Sequence, residues 1–336
     1  MGYALSAEQQ KRFVLKPWPI VGHERIITAL RNFIQRDKIP HAFLFLGPEN
    51  LGKATVALYF MKSIQCQEKI RPCGKCVSCL QIVQNLHPDT FLLQKKERIG
   101  IEEIRKLIKK LTLRPFISKY KICLINNANY LTREATNALL KTLEEPKGQT
   151  IIILISSEER LPSTLISRCI IYKFLSVSLT KIINFLGSIT PKAEKNFLKQ
   201  AALQSYGRPG LAVRYVKEPI KVKEKQQIIS DLKKIIQDET SDFSKLNFVS
   251  SLPKNKRELK NILNIWSEWY RNLILAKLNH YKLISDVLER EDLFKLSKRF
   301  SFNYIKNSIS KINNTQTLLS QDINIKLLLE NLVLDL

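Results

Sequence analysis

Five short apolar runs mark the first half of the chain: Ala42–Leu46, Thr90–Leu93, Ile122–Ile125, Thr150–Ile155 and Ile170–Phe174. Each is continuous rather than alternating, the habit of strands covered on both faces of a parallel sheet. Helical patterns fill the gaps at Thr55–Gln65, Ile101–Leu111 and Arg133–Glu145. In the second of these, Ile101, Ile104, Leu107, Ile108 and Leu111 share one face. The third stops at Pro146, and Thr132 stands before it as an N-cap. Strands alternating with helices predict a layered α/β domain.

Beyond about Ser176 the strand signal ends. Residues 178–217 read as short helices interrupted at Gly207-Arg208-Pro209-Gly210, and the pattern from 219 onward is helical. Leu259, Ile262, Leu263, Trp266, Trp269, Tyr270 and Leu273 recur at helical spacing, as do Ile323, Leu327, Leu328, Leu329, Leu332 and Val333. Such wide stripes predict a packed bundle, with the Trp266–Trp269–Tyr270 cluster in its core. The polar stretch Lys306–Gln316 reads as a connection between helices. The expected division is therefore 1–176, 177–218 and 219–336.

Composition adds one strong signal. Lys and Arg number 55 against 30 Asp and Glu, a formal charge of +25 over 336 residues. Such a field draws polyanions, nucleic acid foremost, although a merely solvated basic surface gives the same count. Met1–Lys16 has no apolar core of a secretory signal, and no run of about 18 apolar residues predicts a membrane span. Four of the six cysteines crowd into Cys66–Cys79, which favours a metal in a reducing cytoplasm over disulfides.

Gly47-Pro-Glu-Asn-Leu-Gly52-Lys53 follows one predicted strand and precedes a helix, the setting of a phosphate-binding loop. A Ser or Thr is needed next, to ligate Mg²⁺. Ala54 stands there instead, and Thr55 points about 100° further round the helix. The second nucleotide element is an apolar strand ending in acids that hold Mg²⁺ and polarise water. Lys121–Ile125 has the strand, but Asn126 and Asn127 replace the acids, and a neutral amide is no general base. Gly47, Gly52 and Lys53 therefore form a degenerate loop, expected to bind ATP unproductively or not at all. Cys66-x6-Cys73-x2-Cys76-x2-Cys79 suits a closed structural Zn²⁺ site, with Fe–S ligation the competing reading. Cys123 and Cys169 read as packing residues, and His87 as a surface or satisfied histidine.

These pieces in this order, with Leu131–Pro146, Ser156-Ser157-Glu158 and Leu161–Cys169, resemble the zinc-containing AAA+ subunits of the bacterial DNA polymerase III clamp loader. The runs Ile20–Glu24, Pro40–Phe45 and Asn324–Leu336 fit as well. The resemblance is dense over 20–175 and sparse over 180–320. It implies an AAA+ α/β domain with the zinc module at 66–79, a small helical lid and a helical collar. Of the two kinds of subunit that share the insert, the motors (gamma and tau) keep the acids and the hydroxyl. The delta prime kind commonly loses them, as here. The resemblance implies that Arg168 of Ser167-Arg168-Cys169 acts as an arginine finger in a neighbouring subunit's ATP site. It places a nucleotide-sensing Arg of the motors at Gly210, with Arg208 out of phase. The implied role is a non-hydrolysing stator, without ATPase activity of its own. Its partners would be gamma/tau, delta, the sliding clamp and primed DNA. An ATP-hydrolysing motor and a stand-alone zinc-containing nucleic-acid-binding protein are the alternatives.

Overall fold

The computed structural model describes residues 13–336 except 96–97, 147, 158–160, 237–240, 281–283, 285–289, 320 and 322. Glu158 and most of the N-terminal stretch thus lie outside the described residues. The chain divides into two compact units. One runs to Phe185 and includes Gly207–Leu211; the other comprises Leu186–Tyr206 and Ala212–Leu336.

In the first unit the elements are β1 (Val14–Leu15), α1 (Glu24–Gln35), β2 (Ala42–Leu46), α2 (Lys53–Gln65), β3 (Ile70–Arg71) and α3 (Val77–Gln84). They continue with β4 (Thr90–Gln94), α4 (Ile101–Leu111), β5 (Lys121–Asn126), α5 (Arg133–Glu144), β6 (Thr150–Ser156), α6 (Ser163–Ile166) and β7 (Ile170–Lys173). Five strands form one parallel sheet in the order β4-β5-β6-β2-β7. Alternation along β2 splits its side chains between two cores. Phe43 and Phe45 join Leu30, Val56 and Phe60 on one face. Leu44 and Leu46 join Ile104, Leu107, Leu139 and Leu143 on the other. The sheet is thus sandwiched between α1 and α2 on one side and α4 and α5 on the other, as the unbroken apolar runs predict. The two edge runs are less covered: in β4 only Thr90 is buried, while Phe91, Leu92 and Leu93 are half-exposed. β7 lies at the sheet edge, and both Ile170 and Ile171 are exposed.

Thr132 caps α5 as expected, its hydroxyl accepting from the Ala135 N–H (3.2 Å). Asp89, just before β4, is wholly buried and has no role in the sequence reading. Its carboxylate accepts from the N–H groups of Phe116 (2.7 Å), Ile117 (2.8 Å) and Ser118 (3.0 Å), which fixes the loop between α4 and β5.

Helices follow from α7 (Leu179–Ile189) through α8 (Lys195–Gln204), α9 (Pro209–Lys217), α10 (Ile220–Ile235), α11 (Asp242–Ser251) and α12 (Lys256–Lys277). The last three are α13 (Arg290–Arg299), α14 (Phe302–Leu318) and α15 (Ile325–Leu334). In the second unit the core gathers on α12, where Trp266, Trp269, Tyr270 and Leu273 are completely buried. Two expectations need correction. Lys306–Gln316 is no connection but the middle of α14, whose buried face mixes Ile305 and Ile312 with Ser308 and Thr315. Those two hydroxyl residues hide the apolar period. The terminal stripe is also narrower than expected, since Ile323 and Leu327 are exposed while Leu329, Leu332 and Val333 are buried. No helix among the described residues is long and apolar enough to cross a membrane.

Candidate phosphate loop, thiolate cluster and arginine

The loop between β2 and α2 is built by conformations that side chains rarely adopt. Gly47 has φ 136°, and a Cβ there would lie 2.4 Å from the Phe174 carbonyl oxygen, so only glycine fits. Gly52 (φ 89°) turns the chain into α2 as its N-cap. Two hydrogen bonds from outside hold the loop. The His23 Nε2–H donates to the Leu51 carbonyl (3.0 Å), and its ring lies 4.7 Å from that of Phe174. Burial holds the His23 pKa below the usual value. The Gly210 N–H donates to the Asn50 carbonyl (2.9 Å), and a Cβ on Gly210 would stand 3.0 Å from the same oxygen. The position matched by register to a sensing arginine is therefore a backbone contact with the loop itself. The sequence reading missed both His23 and Gly210 as loop supports. Neither has a local signature, because each meets the loop from a distant part of the chain.

Lys53 is buried at the start of α2. Its Nζ donates to the carbonyls of Gly47 and Pro48, the latter at 2.6 Å. Burial lowers its pKa to about 8, against a weaker opposing pull from Glu49. Ala54, next on α2, offers only a methyl group. Asn126 ends β5, in register with Gln94 of β4 and Ile155 of β6, so one strand separates β5 from β2. Asn127 has left-handed backbone (φ 64°), and its side-chain N–H donates to the Lys95 carbonyl (2.8 Å). That amide serves a turn. Of Lys53, Ala54, Asn126 and Asn127, Lys53 is the one that can meet a phosphate, and none is a carboxylate for Mg²⁺.

The four cysteines converge as their spacing predicts. All four Sγ atoms lie within 4.8 Å of one another, with Cys66–Cys76 at 3.9 Å and Cys73–Cys79 at 4.0 Å. A tetrahedral ion with Zn–S bonds of about 2.3 Å needs sulfur atoms about 3.8 Å apart, so the donor set fits zinc. Burial opposes a thiolate at Cys73. The N–H groups of Lys75 (3.4 Å) and Cys76 (3.2 Å), with the adjacent thiols, outweigh it and bring the pKa to about 7. Cys123 is buried in β5 and Cys169 packs at the edge of a core, as expected. His87 is not at the surface: it is buried and outside the cysteine cluster, and among the described residues only its Nδ1 has a hydrogen-bond partner.

Arg168 follows α6 on the approach to β7. Its guanidinium is half-buried, paired through Nη2 with Glu144 at the end of α5 (2.5 Å) and donating through Nη1 to the Thr164 carbonyl (2.7 Å). The sequence reading had no role for Glu144.

Residues 22–178 match the family model described as "DNA polymerase III, delta subunit". A DNA polymerase III subunit gamma of Buchnera aphidicola is 31% identical over 315 residues, which are 89% of this chain and 85% of that one. The tau/gamma subunit of Haemophilus influenzae is 34% identical over 51% of this chain and 25% of its own length. The tau subunit of Bacillus subtilis is 33% identical over 55% and 33%. This chain thus spans only a quarter to a third of the last two. A solved gamma subunit-related protein of Thermotoga maritima superposes with a TM-score of 0.42 at 17% identity, over 91% of this chain and 97% of that one. The three sequence relatives are named gamma or tau, and the delta prime assignment gains no support from their names. This chain belongs to the AAA+ clamp-loader family of DNA polymerase III subunits.

Proposed function

We propose that this chain is a clamp-loader subunit that hydrolyses no ATP of its own and lends Arg168 to the ATP site of a neighbouring subunit. The observation that carries the reading is Ala54, which leaves the residue after Lys53 without a Mg²⁺ ligand. Asn126 and Asn127, in place of acids, remove the second metal support and the general base. Within this reading residues 1–176 are the AAA+ domain, 177–218 the lid and 219–336 the collar. Zinc at Cys66, Cys73, Cys76 and Cys79 braces the first of these. The assembly, with gamma/tau and delta, places a sliding clamp on primed DNA, and the charge of +25 suits work beside nucleic acid.

A second reading, an ATP-hydrolysing motor, is favoured by one observation: the relatives are named gamma and tau. Substituting Arg168→Ala in a reconstituted loader, with motor subunits unchanged, tests the finger. In the first reading DNA-dependent ATP turnover at the adjoining site falls by roughly 10³-fold, the lower end for fingers supplied in trans. Unchanged turnover would remove the finger from the account.

A further inference from the structure

The outer face of α3 is apolar and uncovered. Val77, Leu80 and Val83 are 49–67% exposed, while Ser78, Cys79 and Ile82 turn inward. At about 100° per residue the three exposed side chains fall within roughly 120° of arc. Leu86 carries the stripe past Asn85, the left-handed C-cap of α3, and also lines a groove of about 470 Å³ beside β4 and α4. The stripe and the groove are therefore continuous at Leu86.

The groove carries positive charge on one wall. His87 lines it at 2% exposure. Its Nδ1 accepts from the Asp89 N–H (3.1 Å), which puts the ring proton on Nε2. No described residue accepts from that Nε2–H, and the nitrogen itself is shielded from solvent. Lys106 and Lys110, one turn apart on α4, line the same groove. Its one carboxylate, Glu103, is committed to Lys95 and to the Gly100 N–H (2.9 Å). Strand addition fits poorly here. The outward N–H groups of Thr90 and Leu92 on edge strand β4 are taken by the His87 carbonyl (3.2 Å) and the Asn85 side chain (3.3 Å).

We propose that the α3 face and this groove form one docking surface for an amphipathic, acidic segment of another protein. Its apolar side chains cover Val77, Leu80 and Val83. One of its carboxylates enters the groove between Lys106 and Lys110, beside the buried His87 ring. A lone small anion would meet the donors but leave the stripe bare, and the continuity at Leu86 favours the peptide. The inference stands apart from the nucleotide and arginine roles above.

The test is display selection of random peptides about 16 residues long, about 24 Å as a helix, on the full zinc-loaded chain. Selected peptides should carry Leu, Ile or Phe at helical spacing beside Asp or Glu. They should lose at least about tenfold in affinity toward Leu80→Glu and toward Lys110→Glu, both exposed positions that leave the fold intact. They should also shift the ring resonances of His87, which lines the groove, in ¹⁵N-histidine spectra. Three results would overturn the proposal. One is no enrichment over the Leu80→Glu protein. Another is enriched peptides that bind as well with Gln in place of their acids. The third is a His87 shift with inorganic phosphate but not with the peptides, the mark of a small-anion site only.

Discussion

Arg168 and Glu144 form an ion pair at 2.5 Å that ties the proposed finger to the end of α5 of its own chain. Their side chains are 33% and 47% exposed, so the pair is a surface pair worth about 0–1 kcal/mol. A guanidinium held so weakly can be exchanged for a triphosphate. Glu144→Gln is accordingly expected to change the unfolding free energy of the chain by less than about 1 kcal/mol in a denaturant titration. It should leave the ATP turnover of the reconstituted loader at or above the unsubstituted level. A loss as deep as that of Arg168→Ala would mean that Glu144 aims the arginine instead of merely parking it.

Lys53 carries a pH signature. Burial lowers its pKa to about 8, so it is an ammonium below that value and a neutral amine above it. Metal-free anion binding at the loop should weaken as pH rises from about 7 to about 9, because only the ammonium attracts phosphate. Calorimetric titration with pyrophosphate in the absence of Mg²⁺ checks this. Lys53→Met should bind weakly with a flat pH profile.

The thiolate cluster makes a compositional prediction. The purified chain should carry one zinc per molecule by atomic emission. Cys79→Ser removes a buried ligand and should abolish stoichiometric zinc, lowering the stability of the first unit by more than about 2 kcal/mol. An iron signal with visible absorbance would favour the competing cluster.

Asp89→Ala should cost about 2–3 kcal/mol, since it strips one buried carboxylate from three N–H donors. Hydrogen exchange at Phe116, Ile117 and Ser118 should accelerate while β5 and β6 remain protected. Uniform loss of protection would show that Asp89 supports the whole sheet.

What was legible in the sequence was local. The unbroken runs on β2, β5 and β6 read correctly because both faces of those strands are covered. The missing hydroxyl at Ala54 and the cysteine spacing likewise lie within one turn or one loop of their neighbours. Three contacts were not legible, because each joins side chains or backbone remote in sequence: His23 with Leu51, Asn50 with Gly210, and Glu144 with Arg168. α14 was misread for a different reason. Ser308 sits in its buried face with its hydroxyl satisfied by the Tyr304 carbonyl (3.0 Å), so a polar residue occupies a core position at little cost.

The most direct measurement is calorimetric titration of the zinc-loaded chain with ATP, with and without Mg²⁺, together with turnover in the same samples. The account predicts weak binding that does not respond to Mg²⁺, and no hydrolysis. Tight Mg²⁺-dependent binding with steady turnover would contradict it, and would place this chain among the motors despite Ala54, Asn126 and Asn127.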